Sequence, residues 1–337
     1  PNQPLLGHIP HISYLSEVRR DQRFLLEELD RTATEARESA NGERATDNVE
    51  DRQLRYQRFF YQEAFRNLYT SLRFLNAERP LRSVALTSSL PAEGKSLVNV
   101  LLAKTLSELG QRVLLVDGDM RKPQLHKRLG IDNLRGLSNL LTGDVSDWRE
   151  VVQPVTGYPN WRVLTAGLRP PDPTRLLSSQ RMQELIRALA DSGDFDLILY
   201  DTPPVLGLAD AALLAEHLDG LVLIVSLERV DRSLPREAIN RIRSARAQLL
   251  GVITNAVRED VTESRAYGYR YGYRYGYGSY DYRTAYSYYA EDDETGDSPT
   301  PSDVAATAPT PQSLPTLKRG LARLKRQLRQ SLNWLDR

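Results

Sequence analysis

Between residues 82 and 256 the chain alternates short apolar runs with stretches whose apolar residues return every three or four positions. The runs predict buried strands at Arg82–Leu86, Arg112–Val116, 161–167 (WRVLTAG), 194–201 (DFDLILYD), 220–226 (GLVLIVS) and 249–256 (LLGVITNA). The helical spacing is clearest at Leu97, Val98, Leu101, Leu102, Leu106 and Leu109. Further helices are expected shortly after Pro123, within 134–143, around Arg181–Leu189, near Asp210–Glu216 and near Pro235–Ala247. Strands alternating with helices predict an α/β fold, a mostly parallel sheet with helices on both faces. Such sheets bind ligands at the carboxyl ends of their strands. Upstream, Phe60, Ala64, Leu68 and Leu72 fall on one face of a helix over 57–75, with Glu63 and Arg66 on another. Residues 17–60 are highly charged, and Arg31–Asp51 has almost no apolar residues, which predicts a solvated, mobile insertion. Residues 1–16 read as extended, with Leu5, Leu6 and Ile9 available for docking.

The first strand–helix junction carries chemistry. SSLPAEGKS breaks the strand with turn residues, and the helix resumes at Leu97. Strand, Gly-Lys-Ser loop and helix is the setting of a phosphate loop, although Ser89 stands where G-x-x-x-x-G-K-[ST] has its first glycine. Unpaired N–H groups and the dipole at a helix start attract polyphosphate. Glu93, Gly94, Lys95, Ser96 and Leu97 are therefore expected to bind ATP, with Lys95 reaching the β/γ-phosphates and the Ser96 hydroxyl ligating Mg2+. The reading is a P-loop NTPase.

Acidic residues stand where the sheet would present them. Asp117 and Asp119 end the second strand, and Asp201 ends LILY. A hydrophobic run finishing in Asp is the usual pattern for holding Mg2+ through water, and this hard ion needs only two or three carboxylates. Lys95, Asp117, Asp119 and Asp201 are thus expected around one loop, with Ser96 and the three aspartates the expected metal set. Asn255, at the end of the last strand, is expected either to read adenine or to form a turn.

Composition changes abruptly after Ala266. Tyr267, Tyr269, Tyr271, Tyr273, Tyr275, Tyr277, Tyr280, Tyr282, Tyr286, Tyr288 and Tyr289 are eleven of the chain's 17 tyrosines. The residues between them are mostly Gly and Arg, with Ser, Asp, Thr and one Ala, so the segment is expected to be disordered. Three roles fit it: a sticky low-complexity strip, a nucleic-acid contact through Arg charge and stacking, or a strip of phenols serving as substrate for an ATP site. A flexible coil over 258–289 would span roughly 30 Å, enough to reach a neighbouring subunit's loop as readily as its own. Beyond an acidic stretch and a Pro/Thr-rich spacer, Leu317, Leu321, Leu324, Leu328, Leu332 and Leu335 alternate with Lys and Arg. That amphipathic helix is expected to lie on an anionic membrane, or to dock its leucines on a protein. Over the whole chain 45 basic and 44 acidic side chains nearly cancel. The absence of cysteine excludes disulfides and thiol catalysis within these 337 residues and fits a reducing compartment. No apolar run approaches the roughly 18 residues a membrane span needs. No signal peptide is visible, and a first residue of Pro is expected of a piece of a longer chain.

SSLPAEGKS, LLVDGDMRKP, LILYDTPP and the tyrosine cluster together resemble the bacterial tyrosine kinases of capsular and exopolysaccharide export. The similarity runs over about residues 57–290, and Asp117, Asp119, Arg121 and Pro123 joined to a tyrosine tail are its most diagnostic part. The resemblance implies a protein-tyrosine autokinase using ATP and Mg2+, with Asp117 and Asp119 helping to hold the metal and accept the phenol proton. It implies trans-phosphorylation of the cluster within a homo-oligomeric ring, through a Glu-x-x-Arg-x-x-Arg helix that Glu63 and Arg66 match and Tyr69 departs from. A membrane-spanning portion of the same protein or an adaptor, a cognate tyrosine phosphatase and a place on the cytoplasmic face of the membrane follow from it. Related switch ATPases carry an additional lysine at the loop start, where this chain has Ser89. The expected layout is a juxtamembrane segment with the insertion (1–56), a kinase domain (57–258), the tyrosine cluster (259–290), a linker (291–315) and a basic amphipathic helix (316–337). The alternatives are a switch ATPase, or a scaffold whose tail binds partners without being phosphorylated.

Overall fold

The computed structural model describes residues 3–10, 49–75, 80–227, 230–231 and 233–257, with the backbone alone at 49–58 and 256–257. In chain order the elements are β1 (Leu5–Pro10), α1 (Val49–Phe74), β2 (Ser83–Ser88), α2 (Lys95–Glu108), β3 (Val113–Asp117), α3 (Leu125–Leu129) and α4 (Leu137–Thr142). A 3-10 turn (Trp148–Glu150) leads to β4 (Val152–Val155), β5 (Tyr158–Leu164), α5 (Pro173–Leu177), α6 (Gln180–Asp191) and β6 (Leu197–Asp201). The last elements are α7 (Asp210–Ala215), β7 (Gly220–Ser226), α8 (Ser233–Ser244) and β8 (Leu249–Val257). One eight-stranded sheet results, ordered β1-β8-β7-β2-β6-β3-β5-β4. Every pairing is parallel except β4 against β5.

The strands are apolar throughout because both faces are covered, and alternate residues serve different cores. On β3, Val113 and Leu115 enter a cluster with α1, α2 and Leu125, whereas Leu114 and Val116 enter one built from α4 to α8. Helix α2 runs between strands and other helices and is buried on nearly every side, so its apolar spacing is denser than a surface helix requires. Leu109, expected to extend its buried stripe, caps the helix and is exposed.

The amino-terminal segment is extended as expected, and its place is the edge of this sheet. β1 lies parallel to β8, with Leu6 and Ile9 buried. Gly251 permits the approach, since a Cβ there would meet Pro4 O at 2.6 Å, and Val252 N donates to that same oxygen at 2.9 Å. The described residues from Gln3 on belong to one compact unit, and Leu5–Pro10, within the expected juxtamembrane segment, supplies one of its strands. At the opposite edge β4, absent from the sequence expectation, turns back on β5 through Gly157 at φ 83°. The helix expected from Gln57 starts at Val49, inside the stretch expected to be a mobile insertion. Its buried stripe is Phe65, Leu68 and Leu72; Phe60 and Ala64 are only partly covered. No helix among the described residues is long and apolar enough to cross a membrane. The tyrosine cluster, the linker and the basic C-terminal segment lie outside the described residues.

Leu68 is fully buried and packs directly over Gly7 of β1. Leu68→Ala is expected to cost about 2–5 kcal/mol, the usual loss for emptying a packed leucine site. Urea denaturation followed by circular dichroism checks it.

Candidate active site

At the end of β2 the chain enters a loop whose backbone is left-handed at two positions, Ala92 (φ 68°) and Gly94 (φ 92°). Gly94 is the N-cap of α2, where a side chain would strain the turn, so glycine is required there. Ser89 has no left-handed backbone, which explains why serine is accepted at a position where the motif usually has glycine. Its hydroxyl is buried with no hydrogen-bond partner. Glu93 turns its side chain under the loop. Its carboxylate accepts from Leu90 N at 2.6 Å and Ser226 N at 2.9 Å, and its main-chain oxygen accepts from Asn255 Nδ2 at 2.7 Å. Burial raises the Glu93 pKa, opposed by those backbone donors. Glu93 thus braces the loop against β7 and β8. Asn255 thus has one of its amide donors in that brace.

Three neighbouring strands deliver the charged residues. β2 leads into Lys95, while β3 and β6 end level with each other, Asp117 opposite Asp201. Lys95 Nζ lies 3.1 Å from Asp119 Oδ2 and 3.6 Å from Asp201 Oδ1. Burial lowers the Lys95 pKa, but attraction to Asp201 and Asp119 outweighs it and holds the ammonium above its ordinary value. Burial raises Asp201 as well, aided by Asp119 and opposed by Lys95 and a hydrogen bond from Ser96. Asp117 is pushed up to about 8 by burial and by its neighbour Asp201.

The three aspartates are not equivalent. Asp117 accepts from Asp119 N (3.3 Å), Gln124 N (3.2 Å) and Leu125 N (3.1 Å), so both its oxygens hold the following loop and the start of α3. Asp119 accepts from Lys122 N at 3.0 Å and from Lys95. Asp201 Oδ1 accepts from Asn99 Nδ2 at 3.0 Å, while its Oδ2 is buried without a partner. Asn99 carries no motif signature, and the sequence reading passed over it. Asp210, expected only as part of a helix, is a second addition. It binds Arg121 through Nε (2.6 Å) and Nη2 (3.2 Å), and Thr174 Oγ1 donates to it at 2.8 Å. Arg121 therefore clamps the Asp119 loop to α5 and α7.

This donor set fits Mg2+. The oxygens are hard, and one aspartate oxygen and the Ser96 hydroxyl lie beside the loop. Among the described residues no three acidic or imidazole groups converge into a closed cage. Mg2+ is normally held by one or two carboxylates, waters and phosphate oxygens, which is the arrangement these residues allow. Glu63 and Arg66 sit on the outer side of α1, paired with each other at 2.6 Å. Tyr69 turns toward the core beneath them.

A family model described as ParA, NUBPL iron-transfer P-loop NTPase, matches residues 82–271, more than half of the chain. Tyrosine-protein kinase YwqD of Bacillus subtilis is 35% identical over 207 residues, which cover 61% of this chain and 85% of that protein. The chain belongs to the bacterial tyrosine kinases. Tyrosine-protein kinase wzc of Salmonella typhimurium is 38% identical over 212 residues, but these are only 28% of its length, so this kinase corresponds to a fraction of that larger relative. The kinase domain of Escherichia coli tyrosine kinase ETK superposes with a TM-score of 0.61 at 25% identity, over 82% of this chain and 95% of that one. The iron-transfer term in the family description has no counterpart in these 337 residues, which lack the cysteines that normally hold iron–sulfur clusters.

The raised acid at Asp117 makes stability depend on pH. Folded protein keeps a proton that the unfolded chain, with a carboxylate pKa near ~4, releases. Its contribution to stability therefore falls as pH rises from about 4 to about 8, then levels off. Asp201→Asn removes one crowded charge. It is expected to melt higher than wild type at pH 8, by about 2–4 °C for each ~1 kcal/mol relieved, and to show a shallower fall with pH. Thermal melts of nucleotide-free protein at several pH values check it.

Proposed function

We propose that this kinase moves the γ-phosphoryl group of ATP onto tyrosines between Tyr267 and Tyr289 of a neighbouring copy. The observation that carries the proposal is the ammonium of Lys95 held between Asp119 and Asp201 at the start of a helix capped by left-handed Gly94. The same chain continues into eleven tyrosines. The main chain around Gly94, Lys95, Ser96 and Leu97 would receive the phosphates, with Glu93 bracing the loop from below. Ser96 and Asp201 would hold Mg2+, which supplies charge neutralisation on the β- and γ-phosphates. Asp117 supports the site by fixing the Asp119 loop.

Tyrosine has a pKa near ~10 and arrives protonated at neutral pH. Its oxygen forms a bond to the γ-phosphorus as the bond to the β-phosphate oxygen breaks, and ADP leaves. The transition state is loose, so the phenol proton need not depart early. When Lys95 turns from Asp119 to the phosphates, Asp119 Oδ2 is released to accept that proton. Positioning and electrostatics do most of the work.

The remaining partners follow from the same family reading. Glu63 and Arg66 are placed to exchange their mutual pair for a neighbour's groups, which supports assembly into a ring. A membrane-spanning portion or adaptor would hold this kinase at the cytoplasmic face of the membrane, with residues 316–337 touching anionic lipid. A tyrosine phosphatase would reset the cluster, and polysaccharide polymerisation or export would be the process regulated. The rival is a switch ATPase whose tail only binds partners, a reading that relatives named tyrosine-protein kinase do not favour.

Incubation of purified protein with γ-labelled ATP and magnesium separates the two. Label on tyrosine is expected, falling about 100-fold or more in Lys95→Met, as for loss of a main electrostatic contact to the transition state. Deleting 259–290 is expected to abolish labelling while nucleotide binding persists. Release of free phosphate with no phosphotyrosine would establish the switch.

A further inference from the structure

We infer that Asn99 is a positioning residue, which sets the orientation of the Asp201 carboxylate and thereby the strength with which the site takes up Mg2+. The inference rests on the reading of Asp201 as the metal-side acid.

Asn99 is fully buried in α2, flanked along the chain by Leu97, Val98, Val100 and Leu101. A primary amide there is costly twice over: it is a weaker helix former than alanine or leucine, and its polar atoms are withdrawn from water. Only one of those atoms is repaid by a bond, Nδ2 to Asp201 Oδ1 at 3.0 Å. Asn99 Oδ1 and Asp201 Oδ2 are both buried without partners. The amide orientation follows from chemistry, because the flipped amide would set oxygen against carboxylate. Ser96 and Asn99 are three residues apart, on one side of the helix, and that side faces Asp201.

The choice of a neutral donor is informative. Asp201 Oδ1 is shared between Asn99 and the Lys95 ammonium. Once Lys95 turns to the phosphates and the Ser96 hydroxyl to the ion, Asn99 is the side chain left to fix the rotation of the carboxylate, whose Oδ2 has no other partner. A cation at residue 99 would cancel the charge that attracts a divalent metal. An apolar residue would leave the carboxylate unaimed, and a fourth acid would add repulsion to three carboxylates already sharing one ammonium. An amide meets each condition.

The test uses the full chain and a fluorescent ADP analogue, titrated in EDTA and over a series of Mg2+ concentrations. Wild type is expected to bind more tightly as Mg2+ rises. Asn99→Leu, and the smaller Asn99→Ala that also lacks the donor, should keep Mg2+-free affinity within about twofold. Both should need about tenfold more Mg2+ for half of the tightening, the lower end of losses seen when an outer partner of a metal ligand is removed. In an Asp201→Asn background, Asn99→Leu should produce no further change. Unaltered Mg2+ midpoints in both variants, with a normal wild-type response, overturn the inference alone. Equal loss of affinity with and without Mg2+ also overturns it, since that marks damage to the loop. If wild type shows no response to Mg2+, the reading of Asp201 fails and the inference with it.

Discussion

The Lys95 ammonium is shared by Asp117, Asp119 and Asp201 in a place where little water can screen them, and such a cluster persists only if its members cannot move apart. Three adjacent strands provide that constraint. β6 lies between β2 and β3, and the residues at its end are held level with theirs by main-chain hydrogen bonds on both sides. Two hydrophobic clusters, one on each face, keep the strands from separating. The core therefore holds like charges at a spacing they would not choose.

The two ends of the sheet use aspartate in opposite ways. At the amino end Asp219 accepts from Arg82 N, Ser83 N and Ser83 Oγ, and Asp196 takes Arg112 N together with its guanidinium. These acids satisfy the first donors of β2 and β3, and the Arg112 pair draws Asp196 below its usual carboxylate range. At the carboxyl end Asp201 is left short of donors and is raised. One end has its acids fully paired and the other keeps an acid short of donors, the departure from local satisfaction expected at a functional site.

Much of this was legible in the sequence because the informative features were local. Strand runs, the Gly-Lys-Ser turn and an acid closing each of two strands are set by neighbouring residues, and they fall in the structure where their spacing puts them. The missed elements depend on residues distant in the chain. β1 contains Gly7 and His8 and lacks the aliphatic density of a central strand; β8, some 240 residues later, makes it a strand. β4 contains Pro154 and survives because edge strands tolerate proline. The inward turn of Glu93 could not be read from a loop whose pattern assigns contacts to its backbone. Asn99 was hidden for the opposite reason: in an apolar helix a single amide looks like noise until Asp201 is seen opposite it.

Asn255 stands two residues before the end of β8, and its amide grips the main-chain oxygen of Glu93. The polypeptide that goes on to the tyrosines thus leaves the sheet from a point fastened to the nucleotide loop. One amide thus ties the last strand of the sheet to the residue just before the Gly-Lys-Ser turn.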